Sequence, residues 1–186
     1  MEWKALLASL LISGKGIAPK AYTEDVCQII EVHPGWSTSL KNTAAQRDIP
    51  PGLILSVMYH ESTFRAEARP PRKKLLGFIP WQKSSSYGYA QVKDETWRWY
   101  KSHNPGWFQS RNQFGDAADF IGWYYQVFRK KNPNVENLYA DFYLSYHEGL
   151  GGYKRKTYQN NTWLLNKAQS VSDLAEAYEI QLKSCL

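Results

Sequence analysis

Apolar residues recur at helical spacing along most of this chain, and that periodicity limits the folds open to it. Between Gln113 and Lys131, Phe114, Ala117, Ile121, Tyr124 and Phe128 fall on one face. Val135, Leu138, Tyr139, Phe142 and Tyr146 make a second such run, ended by Gly149. Pro50-Pro51 suits the first turn of a third helix, in which Ile54, Val57, Met58 and Glu61 follow at i, i+3, i+4 and i+7. Ser37 or Thr38 is expected to cap a helix bearing Leu40, Ala44 and Arg47. Asp94 is expected to cap a short helix through Tyr100, and Ser172 a last helix with Leu174, Tyr178 and Leu182. The period fails between Ala66 and Val92, a long segment rich in Pro, Gly and Ser. Its Phe78, Ile79, Trp81, Tyr87 and Tyr89 argue for an ordered loop rather than a linker. The fold class is therefore mainly α, with a long ordered loop and at most a short β-hairpin. A chain of 186 residues can bury one substantial core.

The 43% hydrophobic and 22% charged composition is that of a globular protein. The 8 Trp, 13 Tyr and 7 Phe exceed what a core needs, and leave rings to line a groove. A net charge of +6 favours anionic partners. The basic cluster Arg69 to Leu76 contains two prolines and no nucleic-acid-reading signature accompanies it, so nucleic acid is not expected as a partner. The apolar run Ala5 to Ile12 is too short to span a bilayer, but fits the h-region of a secretory signal with small residues at Gly16 and Ala18. Lys15 stands where a lipidated Cys would be. Export without a lipid anchor is expected, with residues 1–18 as signal peptide and 19–186 as a single domain; the alternative is an ordinary first helix of a cytosolic protein. Cys27 and Cys185 lie near opposite ends. In an oxidising compartment they can form one bridge; otherwise they are two buried thiols.

Tyr59-His60-Glu61 reappears as Tyr146-His147-Glu148, which raises the question of a zinc site. The metalloprotease pattern requires a second His four residues after His60, where this chain has Phe64. The remaining histidines, His33, His103 and His147, stand at no metal-ligand spacing. No metal and no cofactor are expected. Glu61 instead falls on the apolar stripe of its own helix. There burial would raise its pKa into the range of a proton donor near neutrality, unless the side chain reaches solvent or pairs with Arg65.

Three motifs then appear in the order used by the lysozyme-like lytic transglycosylases of the soluble (SLT) type. Glu61-Ser62-Thr63-Phe64 resembles the family's catalytic Glu-Ser pair at a helix end. Gly88-Tyr89-Ala90-Gln91 resembles its Gly-Leu-Met-Gln motif, and Ser145 to Gly151 its Ala-Tyr-Asn motif with trailing glycines. The match covers roughly residues 50 to 155 and is closest to a variant branch with YGYAQ and YHEG motifs. Ala90 replaces Met, His147 replaces Asn, Glu148 replaces Gly, and the segment between Glu61 and Gln91 is longer than usual. The resemblance implies a goose-type/SLT lysozyme-like helical domain. It implies cleavage of the MurNAc-β-1,4-GlcNAc bond of peptidoglycan with formation of 1,6-anhydro ends. Glu61 would be acid then base, with Ser62, Tyr87, Gln91, Tyr146, His147 and Glu148 as substrate-binding residues. Tyr146 would help to hold Glu61 or the acetamido group, and Tyr87, Tyr89 and Trp81 would offer stacking faces. The basic residues of Arg69 to Lys83 read either as a solvated loop face or as contacts to stem-peptide carboxylates. Peptidoglycan glycan strands are the expected partner of a monomeric enzyme of the bacterial periplasm or cell envelope, in wall turnover or beside envelope or secretion machinery. Two rivals stand beside it. A hydrolytic muramidase or chitinase-like enzyme would need a second carboxylate from Glu67, Asp94, Asp116 or Glu148. A non-catalytic glycan-binding envelope protein would keep the groove without the chemistry.

Overall fold

The computed structural model describes residues 25–70, 73–75, 79–82, 84–106 and 108–186. Seven helices and one hairpin follow in the order α1 (Val26–Glu31), α2 (Trp36–Arg47), α3 (Pro51–Ser62), β1 (Lys73–Leu75), β2 (Ile79–Gln82), α4 (Asp94–His103), α5 (Phe114–Lys131), α6 (Leu138–Lys154) and α7 (Thr162–Leu182). The protein is mainly helical, and the hairpin pairs β1 with β2 antiparallel inside the Pro/Gly-rich segment. The expected signal segment and Phe78 lie outside the described residues, as does the side chain of Trp81.

α3 is the buried axis. Leu53, Ile54, Leu55, Val57 and Met58 are all inaccessible to solvent, so the helix is apolar around its whole circumference rather than along one stripe. Its N-terminal half lies against α7 at close range. The Gly52 amide donates to the Glu179 carboxylate, and a Cβ at Gly52 would come within 2.6 Å of the Ala175 carbonyl oxygen. Ser56 Oγ donates to the Val171 carbonyl at 2.7 Å, which satisfies a hydroxyl that is fully buried. α5 crosses α2 at Gly122, whose missing side chain admits Thr43 and Arg47. Arg47 is held there by both oxygens of Asp119 at 2.8 and 2.7 Å. Most of the aromatic excess fills the layer between α4, α5 and α6, where Trp97, Tyr100, Phe120, Trp123, Tyr124 and Phe142 pack ring to ring.

Three expected caps lie elsewhere. α2 begins at Trp36 after Gly35, whose φ of 89° turns the chain into the helix, so Ser37 and Thr38 are already helical. α4 starts at Asp94 itself, after Lys93 as N-cap. α7 begins ten residues before Ser172, because Asn161 accepts from the Leu164 amide; Ser172 is buried and donates to Asn137. Cys27 and Cys185 are joined by a disulfide that fastens α1 to the end of α7. Among the described residues, no helix is long and apolar enough to cross a membrane.

Candidate active site

α3 ends abruptly. Thr63 and Phe64 both take left-handed conformations, with φ of 50° and 56°, and the Thr63 amide donates to the Tyr59 carbonyl at 2.8 Å. Two consecutive non-glycine residues in this region, one of them β-branched, store strain. The turn folds Phe64 back onto Trp36 and Tyr59, with ring centroids 5.7 and 5.8 Å away. It leaves Glu61, in the last turn of α3, facing a cleft of about 930 Å³. That volume is at the upper end of ligand pockets. Helices α3, α4, α5, α6 and α7 all contribute to its lining. Pro70, Gln91, Trp99, Tyr146, Glu148 and Trp163 mark its extent.

Glu61 is partly buried, and its Oε1 accepts a hydrogen bond from the Tyr143 hydroxyl at 2.9 Å. Burial raises its pKa. The Tyr143 bond and the nearby positive charges of His147 and Lys167 work in the opposite direction. The result is a carboxyl that is more readily protonated than an exposed Glu, beside a donor that also steadies its anion. Among the described residues, no three His, Cys, Asp or Glu side chains are grouped so as to hold a metal ion.

The wall beyond Glu61 is a tight turn. Gly88 has φ of 82°, and a Cβ there would lie 2.0 Å from the Arg111 carbonyl oxygen. Gln91, also left-handed at φ 47°, sends Nε2 to the carbonyls of Ala68 and Gly88 at 2.9 and 2.8 Å. Its amide nitrogen thus locks the loop, leaving Oε1 as the end that can meet a ligand. Tyr146 reaches over from α6 and donates to the Ala90 carbonyl at 2.7 Å. The second and third motifs are joined by this bond.

The third motif sits at a break in α6. Gly149 has φ 75° and ψ 159°, so the helix kinks there and resumes to Lys154 rather than stopping. The kink follows His147 and Glu148, both on the cleft. His147 Nδ1 lies 3.1 Å from Glu148 Oε1, and Thr157 donates to the other Glu148 oxygen. The Thr157 bond holds the Glu148 pKa below the usual range, against the effect of burial and with further help from His147.

Of the residues expected at the site, Glu61, Gln91, Tyr146, His147 and Glu148 line the cleft together. Ser62 and Tyr87 do not. Ser62 is 2% exposed, and its hydroxyl donates back to the Met58 carbonyl at 3.0 Å, so helix geometry turns it inward. The Tyr87 ring is covered by the guanidinium groups of Arg69 and Arg111, at 4.3 and 5.5 Å from its centroid. Tyr89 packs edge-on against Trp36 and Phe114, behind the cleft. The hydroxyl on Glu61 is that of Tyr143, not Tyr146. Both lie on one face of α6 three residues apart, and their rings are near parallel at 6.4 Å. Sequence reasoning also missed Trp163, which is 62% exposed on the cleft, and Trp99. Of the acids weighed as a second carboxylate, Glu67, Asp94 and Asp116 do not line the cleft. Asp94 pairs with Arg111 at 2.7 Å, and Asp116 accepts from the Ser110 amide.

The model of the transglycosylase SLT domain family matches residues 3–185, nearly the whole chain. The chain belongs to this family. An SLT domain is a glycan-cleaving module. No curated protein and no solved structure matches the chain.

Proposed function

We propose that this SLT domain is a peptidoglycan lytic transglycosylase in which Glu61 is the single acid and base. The observation that carries the reading is a carboxyl at the end of a buried helix, raised in pKa by burial, held by Tyr143, and opening on a cleft of about 930 Å³. Protonated Glu61 gives its proton to the oxygen linking MurNAc C1 to GlcNAc C4. That C1–O bond breaks, with the MurNAc acetamido oxygen supporting C1. The Glu61 carboxylate then takes the proton of the MurNAc 6-hydroxyl, whose oxygen closes on C1 as the 1,6-anhydro ring. Water is neither consumed nor released, and Glu61 ends as it began. Tyr143 is well placed to hold the carboxylate between the two steps. Tyr146 and Gln91 shape the wall, and His147 and Glu148 border the sugar-binding face. Trp163, edge-on to His147 at 5.9 Å, offers an open ring face for stacking.

A hydrolytic reading would make Glu148 the base that activates water; among the described residues, Glu148 and Glu95 are the carboxylates that line the cleft with Glu61. Engagement of both Glu148 oxygens by His147 and Thr157 favours a supporting role instead. The proposal extends to a monomer exported to the periplasm, where such strands lie. Digestion of purified peptidoglycan by the protein and by Glu61→Gln, with mass analysis of the muropeptides, tests the chemistry. Anhydro ends from the first and none from the second are expected. Reducing ends would instead establish hydrolysis.

A further inference from the structure

Among the described residues, three cations stand on the cleft without a carboxylate partner. Arg65, Arg69 and Lys93 all line it, and among the described residues none of them enters an ion pair. Glu95 lies on the same cleft and pairs with none of them. Two of the three are nonetheless held in place. Arg65 Nε donates to the Ser62 carbonyl at 3.0 Å, which leaves its two terminal amino groups for another acceptor. The Arg69 guanidinium lies 4.3 Å from the centre of the Tyr87 ring, a contact that fixes the group yet uses none of its N–H donors. Arg111 approaches the same ring at 5.5 Å, but its charge is answered by Asp94 at 2.7 Å and by the carbonyls of Ser85 and Val92. The charge of Arg69 is not. A planar fork held in position and left unpaired is suited to a carboxylate.

We propose that Arg65 and Arg69 form a receptor for carboxylates on the muramic acid side chain, so that the cleft selects acidic glycan strands over neutral N-acetylhexosamine polymers. The inference rests on the glycan-cleaving reading above. The sugar backbone of such strands is neutral. Its charge is carried on the 3-O-lactyl group of the muramic residue, as a free carboxylate or through the peptide attached there. Arg65 follows the turn that ends α3 and lines the same cleft as Glu61, on which a muramic residue placed for cleavage would present that group. Tyr87 then has a defined part, as the support of Arg69 rather than a platform for sugar.

The test uses Glu61→Gln protein, so that binding is read without cleavage. It is titrated with three forms of the same strands: peptide-bearing, amidase-stripped with free lactyl carboxylates, and stripped with those carboxylates converted to amides. At least one charged form is expected to bind about tenfold more tightly than the neutral form, the order of one charge-assisted hydrogen bond near a surface. The two charged forms tell the lactyl carboxylate from the peptide. Adding Arg65→Gln and Arg69→Gln is expected to bring the three affinities together, with a fall in melting temperature of only a few degrees because both side chains are exposed. Equal binding of all three forms by the parent, binding to none, or a preference that survives the double variant would overturn the proposal. Failure of the wild type to cut any strand would sink the catalytic reading, while these affinity ratios decide the receptor separately.

Discussion

A carboxyl group that must first give and then take the same proton depends on whatever adjusts its two states, and at Glu61 that is burial against Tyr143. The Tyr143 hydroxyl favours the anion, so Tyr143→Phe removes an influence that lowers the Glu61 pKa. The expected result is a pH–rate profile whose fall at high pH moves to higher pH, since Glu61 stays protonated longer. The maximal rate should drop roughly tenfold to a hundredfold from loss of positioning. An unmoved limb would show that Tyr143 does not act on the acid. The same burial makes Glu61 a liability to the fold. Folded Glu61 binds more protons than unfolded Glu61 above the ordinary Glu range, so stability falls as pH rises through that window. Glu61→Gln should therefore melt several degrees higher than wild type at pH 8, with the difference gone at pH 4. His60, next in sequence, has the opposite sign. Burial, with help from the Lys167 charge and against a backbone hydrogen bond with Ser170, lowers its pKa from 6.5 to about 4. The unfolded chain binds the extra proton between those values, so this residue makes stability rise from pH 4 to 6.5. Melting curves of His60→Gln in the Glu61→Gln background should lose that rise.

Two glycines decide whether the elements carrying the site take their shape. At Gly88, φ of 82° and the Arg111 carbonyl oxygen 2.0 Å from where a Cβ would sit leave no room for alanine. Gly88→Ala combines left-handed backbone with overpacking, each roughly 1–3 kcal/mol, and should lower both melting temperature and activity sharply. At Gly149 space is open, and only the conformation matters: φ 75° with ψ 159° is reached by almost no residue but glycine. Gly149→Ala should cost roughly 1–3 kcal/mol in a thermal melt and straighten α6. The His147–Glu148 edge would then shift, and kcat/KM should fall by more than stability alone explains. These positions also show what a sequence can convey. Glu61 was legible because helical spacing places it beside Ile54, Val57 and Met58, and Gly149 because it interrupts a periodic run. The kink was not, since a glycine that ends a helix and one that bends it read alike. Ser62 misled because a hydroxyl in the last turn can face out or bond back to the carbonyl four residues earlier, and only packing decides. Tyr143 could not be chosen over Tyr146, as the two share a helix face. Arg69 and Tyr87 are 18 residues apart across a loop without period, and no spacing rule brings them together.

At the scale of the molecule, α7 links two distant sites. Its first turn presents Trp163 to the cleft, and Lys167 follows one turn later near Glu61. Its far end, some 20 residues on, is tied through Cys185 to Cys27. The bridge spans 158 residues of sequence, so it removes much freedom from the unfolded chain, about 5 kcal/mol on the loop-entropy account and often less in practice. The contribution acts on the unfolded state and on the docking of α1, where the Val26 amide also donates to Gln181 at 2.9 Å. It does not reach the cleft, because α7 between the two ends is fixed independently by Ser56, by Gly52, and by burial of Leu164, Ala168, Val171, Leu174 and Tyr178. Reduction, or Cys27→Ser with Cys185→Ser, should therefore lower the melting temperature by well over 5 °C, taking roughly 2–4 °C per kcal/mol for a domain of this size. The kcat/KM at 25 °C, with the protein still folded, should not change. An equal melting temperature with and without the bridge would show that α1 and α7 hold together unaided. A fall in kcat/KM at 25 °C would show that the far end of α7 governs the position of Trp163 and Lys167 at its start, and that the helix transmits strain along its length.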